Sequence, residues 1–172
     1  MIGITGASGQ FGQRVLHHLL HTLTVPASRI VAATRQPAKL SDWAARGVIV
    51  RTLDFDDSAT FGPAFDDVER ALLISTDALD RPGRRLEQHS RAVAALAKAG
   101  VQHVVYTSAP KPDDSPLLLA PDHAGTEQAL AASRRVRGTT CRPRAAHRPR
   151  PAHSPRAGAA RGAGPGGRAR RC

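Results

Sequence analysis

Two rhythms of apolar positions alternate along this chain as far as Ser133. Short runs of apolar and β-branched residues recur at Ile2–Thr5, Ile30–Thr34, Val48–Leu53, Leu72–Ser75 and Val101–Thr107. Such runs, bounded by Gly, Pro or polar residues, predict strands covered on both faces. Between them the spacing lengthens to the helical period. Phe11, Val15, Leu16, Leu19, Leu20 and Leu23 fall on one stripe, which predicts an amphipathic helix from about Phe11 to Leu23. Pro37 opens a second helix that runs to about Arg46, with Gly47 as its stop. Ser58 is placed to cap a short helix that Gly62 and Pro63 weaken. A long helix is expected from Pro82 to Ala99, with Leu86, Val93 and Leu96 inward and Gly100 ending it. A Pro-rich loop from Ala109 to about Pro121 leads to a last helix over Asp122–Ser133.

Strands alternating with helices over short connections predict an α/β fold, a doubly wound parallel sheet of the Rossmann type. Right-handed crossovers make 3-2-1-4-5 the natural strand order. After Ser133 the pattern stops. Residues 1–133 carry 13 Lys and Arg against all 14 Asp and Glu, whereas residues 134–172 carry 12 Arg and no acid. The formal charge of +11 therefore belongs to the tail, and the body is near neutral. The tail is rich in Arg, Ala, Gly and Pro and lacks Leu, Ile, Phe, Tyr and Trp. It is expected to be disordered, because it buries too little apolar surface to offset the entropy of ordering. Two units follow: a dinucleotide-binding domain over 1–133 and a basic tail over 134–172. No apolar run is long enough to span a membrane and no export signal opens the chain, so a cytoplasmic location is expected. Cys141 and Cys172 suggest neither a disulfide framework nor a zinc cluster.

The chemistry is concentrated at the start. M-I-G-I-T-G-A-S-G-Q-F-G passes from a strand through Gly6, Gly9 and Gly12 into a helix. That order suits a dinucleotide. Gly6 permits a sharp turn, Gly9 lets a pyrophosphate approach the backbone, and Gly12 lets helix and strand pack closely. The helix start then offers free N–H groups and a positive dipole end. An acid some 20 residues past the glycines would bind a ribose 2′-hydroxyl, but the first acid of the chain is Asp42. The second strand ends instead in A-A-T-R-Q-P-A-K, where Arg35 and Lys39 are placed for a 2′-phosphate. NADPH is therefore expected over NADH.

The motifs T-G-A-S-G-Q-F-G, V-A-A-T-R-Q-P-A-K, L-L-I-S, Y-T-S and D-D-S-P-L-L-L-A-P-D-H-A-G-T-E-Q-A-L stand in the order of a known family. They resemble the NmrA-like branch of the atypical short-chain dehydrogenases/reductases, and are most similar to its bacterial NADPH-dependent quinone oxidoreductases. The resemblance runs from Met1 to about Ser133. It implies a Rossmann domain, NADPH and two-electron reduction of a small quinone. By matched position it implies that Gly6, Ser8, Gly9, Gln10, Phe11 and Gly12 form the pyrophosphate turn and that Arg35 holds the 2′-phosphate. It places Asp54 and Phe55 beside the adenine, and Ser75 and Thr76 near the ribose on the nicotinamide side.

Ordinary short-chain dehydrogenases pair a Tyr with a Lys four residues on. Here the single tyrosine, Tyr106, lies in the fifth strand and Pro110 occupies that position. A quinone tolerates the loss, because its hydroquinone anion is stabilised and water protonates it. Ser108, at the carboxyl end of the fifth strand, and His123, at the start of the last helix, are the weak catalytic candidates. A His at a helix start is more often merely exposed. His17 and His21 share a helix face, but without a third ligand they read as solvated surface rather than a metal site.

In the family a further strand follows the last helix and a C-terminal region closes the substrate pocket. The abrupt change to Arg, Ala, Gly and Pro after Ser133 suggests a frame shift in a GC-rich gene. The sixth strand is then expected to be lost, the fifth left as an unpaired edge, and turnover impaired. Nucleic-acid binding through the tail is disfavoured, because the tail has no aromatic residue to stack on bases. The alternative to a quinone reductase is a dinucleotide-sensing regulator of the same family that turns nothing over.

Overall fold

The computed structural model describes residues 1–133 and 136–142. Its strands are β1 (Ile2–Ile4), β2 (Ile30–Thr34), β3 (Ile49–Thr52), β4 (Arg70–Leu73), β5 (His103–Thr107) and β6 (Arg137–Cys141). Its α-helices are α1 (Gln10–His17), α2 (Ser41–Ala45), α3 (Phe61–Phe65), α4 (Arg84–Lys98) and α5 (Ala120–Ala132). All strand pairs are parallel, and the sheet order is β3-β2-β1-β4-β5-β6. The Rossmann-type doubly wound sheet is thus present, with β1 at its centre between Ile30 of β2 and Arg70 of β4.

Alternation along each strand divides the core between two faces. Val31 and Ala33 join Leu73, Val104 and Tyr106 against Phe65, Leu96 and Leu130 of α3, α4 and α5. Ile30 and Ala32 join Ile4 on the other face, against Leu16 of α1 and Leu40. All five residues of β2 are buried, as a strand covered on both faces requires.

Several boundaries differ from the sequence pattern. The stripe from Phe11 to Leu23 is not buried along its length, since both end residues are more than half exposed. The helix widens into a π-turn over His18–Thr22, and the extra residue in that turn rotates Leu23 off the stripe. Asp57, not Ser58, caps the short helical segment, its carboxylate accepting from the Ala59 amide at 3.0 Å. The long helix begins at Arg84 after a left-handed Gly83, and the last begins at Ala120.

The largest correction concerns the sixth strand, which the sequence suggested was lost. Arg137–Cys141 forms β6 beside β5, with Val104 opposite Gly138 and Thr107 opposite Cys141. Its side chains are exposed throughout, so no apolar alternation announces it. Main-chain bonds hold it instead, from Arg137 N to Gln102 O and from Ser108 N to Cys141 O, both 2.9 Å. Val136 is buried beneath it, and Gly138 packs against Leu130. β5 is therefore not the edge of the sheet. Among the described residues β6 is, and its Arg137 carries the kind of charge that discourages edge pairing. The expected disorder concerns residues 134–172, most of which lie outside the described residues.

Candidate functional site

The turn between β1 and α1 is set by two glycines. Gly6 has φ +59°, a left-handed conformation that costs a residue with a Cβ. A Cβ on Gly12 would lie 2.5 Å from the Gly6 carbonyl oxygen and 2.6 Å from Ala7 Cα. The first turn of α1 thus lies directly on the turn that precedes it. Gly9 caps α1 without a side-chain acceptor, so the amides of the first turn are left for a ligand. The Ser8 hydroxyl does not cap the helix. It bonds Thr34 Oγ1 at 2.6 Å and ties the turn to the end of β2.

This turn forms one wall of a cavity of about 780 Å³ at the carboxyl ends of the strands. Gly6, Ser8, Gly9, Arg35, Lys39, Asp54, Phe55, Ser75 and Thr76 all line it. Gln10 and Phe11 project from α1 outside the wall, and Gly12 lies behind it as packing. Arg35 stands at the end of β2 and pairs across the cavity with Asp77 at 3.5 Å. Both side chains are exposed, so the pair contributes at most about 1 kcal/mol and a phosphate would displace it. Thr76 and a further wall residue, Gln88, carry buried atoms (Thr76 Oγ1, Gln88 Oε1) without a hydrogen-bond partner among the described residues. Free helix amides, a guanidinium and unpartnered wall oxygens fit a long polar anion such as a dinucleotide.

The sequence pattern missed the residues that close the far wall. Asp56 accepts from Gln88 Nε2 and pairs with Arg84, both at 2.9 Å. The bond from Gln88, then that from Arg84, hold the Asp56 carboxyl below its ordinary range. Arg85, Gln88 and His89 are all buried on α4, in register with Ala92, Val93 and Leu96. That register was the available signal: polar residues on an apolar stripe.

Neither catalytic candidate lines the cavity. Ser108 is buried at the end of β5, its amide spent on β6. His123 is not exposed, as a histidine at a helix start usually is, but only 6% accessible. Its Nδ1 lies 2.7 Å from the Tyr106 hydroxyl and its Nε2 lies 3.3 Å from Arg85. Burial, then the Arg85 charge, push the imidazole below its ordinary pKa. A neutral ring with both nitrogens engaged is a poor proton donor. Burial also pushes the Tyr106 phenol up to about 12, so it keeps its proton. The rings of His17, at the end of α1, and His21, in the π-turn that follows, lie 4.6 Å apart, and no third ligand joins them among the described residues. Nor is any helix among those residues long and apolar enough to cross a membrane.

A family model described as NAD(P)H-binding matches residues 6–138. Quinone oxidoreductase 2 of Escherichia coli is 46% identical over 133 residues, which cover 77% of this chain and 45% of that protein. An NmrA-like family domain-containing oxidoreductase of Aspergillus flavus is 36% identical over 134 residues, covering 76% and 43%. Among solved structures, Citrobacter sp. triphenylmethane reductase complexed with NADP(H) superposes with a TM-score of 0.78 at 37% identity, covering 83% of this chain and 49% of that one. The chain spans about half the length of the curated relatives it matches.

Proposed function

The chain belongs to the NAD(P)H-binding family, and on that premise we propose that its cleft holds NADPH for hydride transfer to a quinone. The observation that carries this reading is Arg35, which shares the cavity with the glycine turn and stands at the end of β2 in a stretch with no acid before Asp42. The amides of α1 and the turn at Gly6, Ser8 and Gly9 take the pyrophosphate. Arg35, with Lys39 behind it, leaves Asp77 for the 2′-phosphate. Asp54 and Phe55 flank the adenine, and Ser75 and Thr76 face the ribose on the nicotinamide side. When bound, NADPH supplies the hydride. The acceptor's proton comes from water, since Tyr106 and His123 are held away from the cavity and Pro110 stands where a lysine would be needed. A quinone, whose reduced anion is stabilised, suits a site without an internal acid.

A second reading, a dinucleotide sensor without turnover, is favoured by the same sequestered Tyr106 and His123. The dinucleotide-binding domain expected over residues 1–133 gains β6 (Arg137–Cys141) in its sheet, and residues 143–172 lie outside the described residues. The test is a titration with NADPH and NADH, followed by addition of 1,4-benzoquinone. Arg35→Ala should weaken NADPH about 10- to 100-fold, the loss expected for bonds between charged groups, and leave NADH within about twofold. Equal losses for both cofactors would remove the 2′-phosphate assignment. Binding without consumption of NADPH would favour the sensor.

A further inference from the structure

We propose that His89 is a positioning residue for the cofactor cleft: it ties the Thr76 backbone to α5 and so sets the wall on the β4 side. The inference rests on the cleft's assignment to a dinucleotide. Three consecutive amides after β4 are each claimed by a side chain from a different element. Ile74 N donates to Thr5 Oγ1 at 2.9 Å, Ser75 N to Thr107 Oγ1 at 2.8 Å, and Thr76 N to His89 Nε2 at 3.0 Å. The chain leaving β4 is therefore pinned to the end of β1, to β5 and to α4 before it turns back toward Arg35.

The tautomer of His89 follows from its neighbours. Thr126 Oγ1 donates to the Asp122 carbonyl at 2.7 Å, so its lone pairs accept. His89 Nδ1 lies 3.0 Å from that oxygen and must donate to it. Nε2 is then bare and accepts the Thr76 amide. Burial, followed by the charge of Arg85, pushes His89 down to about 3, so this arrangement holds through the neutral range. The ring stands edge-on to Phe55, a wall residue, on one side and to Tyr106 on the other.

Topology separates the two halves of the ligand. Arg35 lies at the end of β2, the glycine turn at the end of β1, and Thr76 beyond the end of β4, in that order across the sheet. A dinucleotide anchored at Arg35 and crossing the glycine turn meets Thr76 with its far half. Loss of the His89 acceptor should therefore weaken whole NADPH and spare a fragment confined to the Arg35 side.

The experiment titrates the full chain and its variants with NADPH and with adenosine 2′,5′-bisphosphate, and records a thermal melt of each. His89→Phe keeps the ring packing but strands the Thr76 amide. It should weaken NADPH about tenfold and leave the fragment within twofold. His89→Gln, which returns a carbonyl oxygen near the position of Nε2, should restore most of the affinity. A folded His89→Phe that binds NADPH as the parent does, or that loses both ligands equally, overturns the proposal. If His89→Phe fails to fold, His89→Leu makes the same test, removing the Nε2 acceptor of the Thr76 amide with a smaller side chain. A parent chain that binds neither ligand overturns the cleft assignment and the inference together.

Discussion

A single buried imidazole should make this fold acid-sensitive. His89 is fully buried, and its pKa is pushed down to about 3 from an ordinary 6.5, first by burial and then by the charges of Arg85 and His123. Below pH 6.5 the unfolded ring takes up a proton that the folded ring refuses until about pH 3. The unfolded state then binds more protons, so stability falls as pH falls, by about 1.4 kcal/mol per unit once well below 6.5. Between pH 7 and pH 5 the loss from this one group is about 2 kcal/mol. His123 is shifted the same way, also by burial first, and adds to the loss. Asp56, Asp80 and Glu87 are held low by hydrogen bonds to Gln88 and Arg84, to Arg84, and to Arg81, and they lose their contribution further into acid. The assay is urea unfolding followed by circular dichroism at pH 7 and pH 5, for the parent and for His89→Gln. The parent should lose about 2 kcal/mol more than the variant over that interval, or about 4–8 °C in melting temperature. Equal losses in the two proteins would refute the assignment of His89 as a buried neutral acceptor.

Two other substitutions test the cleft from different sides. Gly12→Ala puts a methyl group 2.5 Å from the Gly6 carbonyl; it should destabilise the fold by about 1–3 kcal/mol and abolish NADPH binding, checked by melting and fluorescence titration. Asp77→Asn removes the carboxylate that pairs with Arg35. It should tighten NADPH about two- to fivefold at low salt, an advantage that fades as salt screens the pair. Unchanged or weaker binding would show that Asp77 does not compete with the 2′-phosphate.

The glycine turn, Arg35 and the central strands were legible in the sequence because each is local. A left-handed Gly6, a run such as Ile30–Thr34 and a missing acid need no partner to be recognised. β6 was not legible, because Arg137–Cys141 carries no apolar period and is held by backbone bonds to β5. The polar face of α4 was half visible. Leu86, Val93 and Leu96 announced a stripe, but only its extension through Arg85, Gln88 and His89 would have shown that polar groups were being buried.

By itself, then, the chain's pattern determined an alternating α/β order, a phosphate-ready turn and the sign of the charge at the end of β2. Those properties follow from backbone conformation and residue type within a few positions. Tertiary structure decided which groups the cleft would own. It withdrew His123 and Tyr106 into a desolvated cluster and placed Asp77 against Arg35. It also made His89, without any motif of its own, the acceptor that pins Thr76. Burial and long-range packing control proton affinity and hydrogen-bond direction, and neither is encoded by neighbours in sequence.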